Sequence, residues 1–201
     1  MAKHGTRQIR IIGGRWRGRR LRFAGVPGLR PTADRNRETL FNWLQPMLPG
    51  AHCLDLFAGS GALGLEAASR GAHRVTLVEQ ARDAARLLRE NADLLEADMV
   101  EIRQMDARHY LNGPPSPMDI VFLDPPFGSG LLTETFALLE NNGWLAPAAR
   151  IYLETDRSEG LPVLPSGWSL LRQRAAGQVV YALAGRDRPD FLQSADHTGV
   201  M

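Results

Sequence analysis

Two short segments carry residue types that could do chemistry. Residues 54–64 read L-D-L-F-A-G-S-G-A-L-G, an apolar strand running into Gly59, Gly61 and Gly64 and then into a helical stretch. Glycines let a backbone turn tightly against a ligand, and the helix start adds amide donors and a positive dipole end. Glu79 follows 18 residues after Gly61, where a second strand should end and a carboxylate can accept both hydroxyls of a ribose. This pattern predicts a nucleoside cofactor; read blandly, it is a strand-turn-helix with packing glycines. Asp55 faces the same turn. A carboxylate there repels a pyrophosphate and attracts an ammonium, which favours S-adenosylmethionine (SAM) over a dinucleotide.

The second segment is I-V-F-L-D-P-P-F at residues 120–127. Prolines fix φ and remove backbone donors, so the turn presents acceptors: the Asp124 carboxylate and the Pro125 carbonyl, stiffened by Pro126. An exocyclic amine of a nucleobase is a poor nucleophile because its lone pair is conjugated with the ring. Accepting both amine hydrogens favours a pyramidal nitrogen and exposes that pair. Phe127 can stack on an extruded base. Elsewhere, Asp-Pro-Pro-Phe would be only a turn after a core strand.

The elements around these segments alternate. Apolar runs at His52–Phe57, Arg74–Val78, Met99–Arg103, Asp119–Leu123 and Arg150–Glu154 predict strands. Ala62–Arg70, Ala81–Glu96, Asp106–Leu111 and Leu131–Asn141 have helical spacing. Strand and helix in turn predict a doubly wound, mostly parallel α/β sheet of the Rossmann-like class. Trp168–Arg174 and Gln178–Ala184 leave no room for a crossover helix, so they predict a C-terminal antiparallel hairpin. Ahead of the sheet, residues 9–23 read as a hairpin. A helix capped by Thr32 or Asp34 should run to about Leu44, burying Leu40, Phe41 and Leu44. The organisation predicted is a basic extension over 1–50, a catalytic unit over 51–185 and a loose polar tail over 186–201.

The chain has 201 residues, 44% apolar and 23% charged, which argues against global disorder. One cysteine excludes a disulfide framework and a thiolate zinc site, and Cys53 inside a strand reads as core. The five histidines show no metal spacing, so no metal is expected. No apolar run approaches the ~18 residues of a membrane span, and the first residues lack the apolar stretch of a secretory signal. A cytoplasmic location is the expectation. The net charge of +2 hides an asymmetry: residues 1–30 hold nine bases and no acid, leaving 15 bases against 22 acids. Arg10, Arg15, Arg17, Arg19, Arg20 and Arg30, interleaved with Trp16 and joined by Arg35, suit RNA. A solvated hairpin with one packed Trp is the plainer alternative. The sheet from residue 51 should be complete without this arm, so its removal is expected to leave a folded body.

R-I-I-G-G-R-W-R-G-R-R-L, L-R-P-T-A-D-R-N-R-E-T-L-F-N-W-L, D-L-F-A-G-S-G-A-L-G-L-E-A and V-F-L-D-P-P-F together resemble the RsmD family of bacterial 16S ribosomal RNA guanine-N2 methyltransferases, over about residues 8–185. The resemblance implies a seven-stranded methyltransferase sheet and SAM as cofactor. It implies cofactor contacts from Asp55, Ala58, Gly59, Ser60, Gly61 and Glu79, from Asp106 and Ala107 beside the adenine, and from Thr32 and Arg37 over the methionine end. Asp124, Pro125, Pro126 and Phe127 match the catalytic motif. The substrate implied is a guanine of 16S rRNA in the small ribosomal subunit. The residues by themselves leave open another amine, such as adenine N6 in DNA or RNA, or a non-catalytic RNA-binding assembly factor. The small size lacks an obvious device for reading duplex DNA. The intact Asp55, Glu79 and Asp124 argue for an enzyme.

Overall fold

A computed structural model of the chain describes residues 6–24 and 34–186. Thr32, Arg30 and the 186–201 tail beyond Arg186 lie outside the described residues. Strands β1 (Thr6–Arg10) and β2 (Arg20–Ala24) pair as an antiparallel hairpin, followed by helix α1 (Asp34–Leu44). Then come β3 (His52–Asp55), α2 (Gly64–Ser69), β4 (Arg74–Val78), α3 (Arg82–Leu94), β5 (Val100–Arg103), α4 (Ala107–Leu111), β6 (Met118–Leu123), α5 (Leu131–Asn141), β7 (Leu145–Asp156), β8 (Trp168–Ala176) and β9 (Val179–Arg186). The seven-stranded sheet has the order β5-β4-β3-β6-β7-β9-β8. The first five of these run parallel, and β9 is antiparallel to both β7 and β8. This is the expected α/β methyltransferase sheet with its C-terminal hairpin.

Alternation along the strands sorts the core into two layers. Cys53, Val75, Leu77, Ile120, Phe122 and Tyr152 face one layer with α1, α2 and α3. Leu54, Val78, Val121, Leu123, Ile151 and Leu153 face the other, with residues of α4 and α5. α1 buries Leu40, Phe41 and Leu44 as its spacing predicts, and Phe41 meets Phe122 at 6.0 Å between ring centroids. Cys53 is a buried core residue whose thiol is pushed far up by burial.

β7 starts five residues earlier than the sequence suggests. Met118 pairs with Leu145 but Ile120 pairs with Arg150, so Ala146–Ala149 form an irregular loop of strand opposite Asp119. Pro147 sits in that irregularity, where it removes no ladder bond, and it hides the strand from a propensity reading.

The hairpin is not a separable arm. Ile9, Ile11, Trp16, Leu21 and Phe23 are all buried in the same layer as α1, α2 and α3. The Arg22 amide and carbonyl bond to the Asn91 side chain of α3, at 3.3 and 2.7 Å, which extends the edge of β2 onto that helix. This packing bears on the expectation of a body complete without residues 1–24: apolar positions alternate through the Arg-rich segment, and α2 and α3 cover them.

Candidate active site

The strand order reverses between β3 and β6, and in open α/β sheets the crevice at such a switch point binds ligands at the carboxyl ends of the strands. Four neighbouring strands end in an acid there: Asp55 on β3, Glu79 after β4, Asp124 after β6 and Glu154 near the end of β7. Their mutual influence shows the clustering, since Glu79 acts on Asp55, and both Asp55 and Glu154 act on Asp124.

The glycine turn is held by these carboxylates. Asp55 is buried and its Oδ2 accepts the Gly64 amide at 3.0 Å, with the Phe57 amide as a second donor. Burial pushes its carboxyl up to about 7, the two amides hold it back, and Glu79 adds to the rise. Glu79 accepts the Gly59 amide at 2.8 Å and the Ala81 amide at 2.7 Å, so its carboxylate is oriented across the turn. Gly61 has φ +77°, and a Cβ there would meet Leu88 at 2.6 Å. Gly64 needs its missing Cβ for packing, because one would lie 2.1 Å from Leu77 Cδ2. Ala58 and Ser60 are buried in the turn, and the Ala58 amide donates to the Val78 carbonyl at 3.0 Å.

Asp106 caps α4, accepting the Arg108 and His109 amides at 2.9 and 3.2 Å. The Arg108 guanidinium bonded to it holds its carboxyl below the usual range. Ala107 beside it is buried. Arg37 is almost fully buried, with Nη2 donating to the Arg10 carbonyl at 2.8 Å and Asp34 at 2.6 Å. Its Nη1 lies 3.5 Å from the Ala62 carbonyl, so Arg37 braces the glycine turn from the hairpin side.

On the other side of the switch point, Asp124 is half-buried, Pro125 is buried, and Pro126 and Phe127 are exposed. Burial, then the Glu154 and Asp55 carboxylates, push the Asp124 carboxyl well above its usual range. Beyond the turn lies a cavity of about 170 Å³ lined by Pro125, Pro126, Phe127, Leu131 and Glu154. Phe127 leaves 46% of its surface exposed at this mouth, unusual for a large apolar residue and apt for a stacking ring. A larger cavity of about 400 Å³ lies elsewhere, under α4 among His52, Arg74, Tyr110 and Trp144, and none of the four strand-end acids lines it.

Glu154 is the residue that sequence reasoning misses. The available signal is the shared pattern L-D, V-E, L-D and L-E at the ends of four buried strands. The RNA set also divides. Trp16 is buried, and its amide donates to Ser69 Oγ at 3.0 Å, so its ring is not offered to a base; this corrects its placement among the RNA contacts. Arg15 and Arg19 donate to the Glu96 and Leu94 carbonyls just past and at the end of α3, and Arg10 pairs with Asp34. Arg17, Arg20 and Arg35 are exposed and form no ion pair among the described residues.

Comparison with known proteins agrees with this geometry. The family model described as conserved hypothetical protein 95 matches residues 9–185. The ribosomal RNA small subunit methyltransferase D of Escherichia coli (strain K12) is 54% identical over 183 residues, 91% of this chain and 92% of that protein. Its counterpart in Haemophilus influenzae is 43% identical, over 88% and 93%. The solved structure of yhhF from Escherichia coli superposes with a TM-score of 0.83 at 52% identity, covering 90% of this chain and 99% of that one. The match spans the glycine turn, the acid-ended strands and the hairpin alike, and the chain therefore belongs to the ribosomal RNA small subunit methyltransferase D family.

Proposed function

We propose that the protein methylates the exocyclic N2 amine of a guanine in 16S ribosomal RNA, with SAM as methyl donor, acting in the cytoplasm on the small ribosomal subunit. The observation that carries this reading is the pairing, across one switch point, of a carboxylate-held glycine turn with an acceptor turn that opens on a cavity. The residues fit SAM better than a phosphate-bearing cofactor: a buried Asp55 held near neutrality beside the turn gains from a neighbouring ammonium. Asp55, Ala58, Gly59, Ser60, Gly61 and Glu79 would hold it, with Asp106 and Ala107 toward the adenine. SAM supplies an electrophilic methyl group. Asp124 and the Pro125 carbonyl accept the two amine hydrogens, which frees the nitrogen lone pair and receives the positive charge that develops there. Phe127 stacks on the base once it has left its helix, a step costing a few kcal/mol. Arg17, Arg20 and Arg35 supply phosphate contacts toward that cost.

Incubating the protein with labelled SAM and undermethylated small subunits, then digesting to nucleosides, tests the reading. Labelled N2-methylguanosine is the expected product. Label in N6-methyladenosine would replace guanine by adenine, and no label in RNA would leave only a binding role.

A further inference from the structure

Leu123 and Leu153 are partners in the parallel ladder between β6 and β7. The next residues, Asp124 just past the end of β6 and Glu154 still on β7, therefore lie side by side at the carboxyl end of β6. Both fall on the face that carries Phe122 and Tyr152. Glu154 is 4% exposed, and the Tyr152 hydroxyl donates to its Oε1 at 2.7 Å, which fixes the carboxyl. It lines the cavity next to Pro125, Pro126 and Phe127. The chemistry assigned to Asp124 serves any exocyclic amine and selects no base. Something beside it must make that selection.

Guanine carries N1–H next to its N2 amine, so three hydrogens lie along one edge. Adenine and 2,6-diaminopurine have a bare N1 acceptor. A second carboxyl on the adjacent strand, about 4.8 Å away across a ladder, can converge on the neighbouring atom of the same edge. It would attract N1–H and repel a bare N1. We propose that Glu154 is the specificity-determining residue of this site, accepting the N1–H of the target guanine while Asp124 and the Pro125 carbonyl accept the N2 hydrogens. The assignment rests on the guanine-N2 reading above. It also accounts for an otherwise costly arrangement. Two neighbouring carboxyls destabilise each other's charge, as the raised Asp124 shows, and a donor-rich edge relieves that repulsion.

The test uses small subunits reconstituted with either guanine or 2,6-diaminopurine at the methylated position. The wild-type protein should favour guanine by about 10²-fold or more in kcat/KM, because a site built for a donor rejects an analogue lacking it. Glu154→Gln presents an amide that can donate to a bare N1. Its preference for guanine should collapse, with SAM affinity unchanged. Equal wild-type turnover of both bases, or a Glu154→Gln protein with the wild-type preference, overturns the assignment while the guanine-N2 reading stands. A wild-type protein that labels no guanine N2 overturns that reading instead. If Glu154→Gln does not fold, Tyr152→Phe releases only Oε1 and should lower the preference several-fold; an unchanged preference there overturns the assignment as well.

Discussion

Glu66 on α2 accepts the amide of Gly13 in the hairpin at 2.8 Å through Oε1, and that of Ile12 at 2.8 Å through Oε2. The residue is fully buried, and Arg70 and Arg37 supply its positive neighbours. α2 is the helix that begins at the glycine turn, so the basic hairpin is fastened to the cofactor turn itself. Ser69 reinforces the link, donating to the Gly13 carbonyl at 2.6 Å.

Glu66→Ala is therefore expected to destabilise the protein by about 3–5 kcal/mol, since it leaves the Ile12 and Gly13 amides and the largely buried Arg70 guanidinium without their acceptor. Deleting residues 1–24 should unfold the body rather than trim it. Denaturant titration checks both, and a truncated protein with a full cooperative transition would show that the hairpin is an appendage.

Asp124→Ala should slow methyl transfer severely and leave SAM affinity nearly unchanged, because the side chain acts on the target amine. Loss of a positioned acceptor for charge developing in the transition state costs about 10²–10³ in kcat. Single-turnover kinetics with saturating SAM reads this directly; a folded Asp124→Ala protein with near-normal turnover refutes the role.

Much of this site is legible in the chain because it depends on local grammar. Gly61 and Gly64 mark the turn, D-P-P-F marks the acceptor array, and strand and helix periods give the element order. What is not legible depends on long-range contact. Nothing in the local sequence marks Arg37 as a buried brace; Glu66 and Asp34 make it one when the fold brings them to it. Trp16 looks like a stacking ring among arginines until Ser69 and the α2–α3 layer cover it. Glu154 is separated from Asp124 by a whole crossover, and only the register of β6 with β7 makes them neighbours.

The same long-range contacts divide the basic residues. Arg17→Glu with Arg20→Glu should weaken RNA binding and lower the log–log salt slope by roughly 0.7 per lost phosphate contact on single-stranded RNA, with SAM affinity and stability unchanged. Arg15→Ala with Arg19→Ala should also cost stability, about 0.3–1 kcal/mol for each cation lost near the end of α3. Filter binding across salt concentrations together with thermal melts separates the two pairs; equal salt slopes for both would remove the distinction.

Asp55 gives the protein a pH signature in cofactor binding. Its carboxyl is pushed up to about 7 by burial, against an ordinary 3.8. The folded state thus holds a proton that the unfolded chain gives up, and this group's contribution to stability falls as pH rises from about 4 to about 7, then stays level. An ammonium beside Asp55 favours the carboxylate, so SAM binding at a pH below 7 should release a proton. Affinity should then rise about tenfold per pH unit toward 7 and level off there. Above about 8 it should fall again, as the α-amino group of the ligand loses its own proton near 7.7–8.0. Asp55→Asn keeps an oxygen for the Gly64 amide but cannot ionise. It should bind SAM more weakly at neutrality and lose the rising limb of the profile. Asp124→Asn, measured alongside without RNA, should keep that limb and so exclude the second raised carboxyl as its origin. Calorimetry in buffers of different ionisation enthalpy counts the released proton. A wild-type affinity that stays flat from about pH 5.5 to 7 would show that Asp55 only staples the turn and leaves the ammonium to other groups.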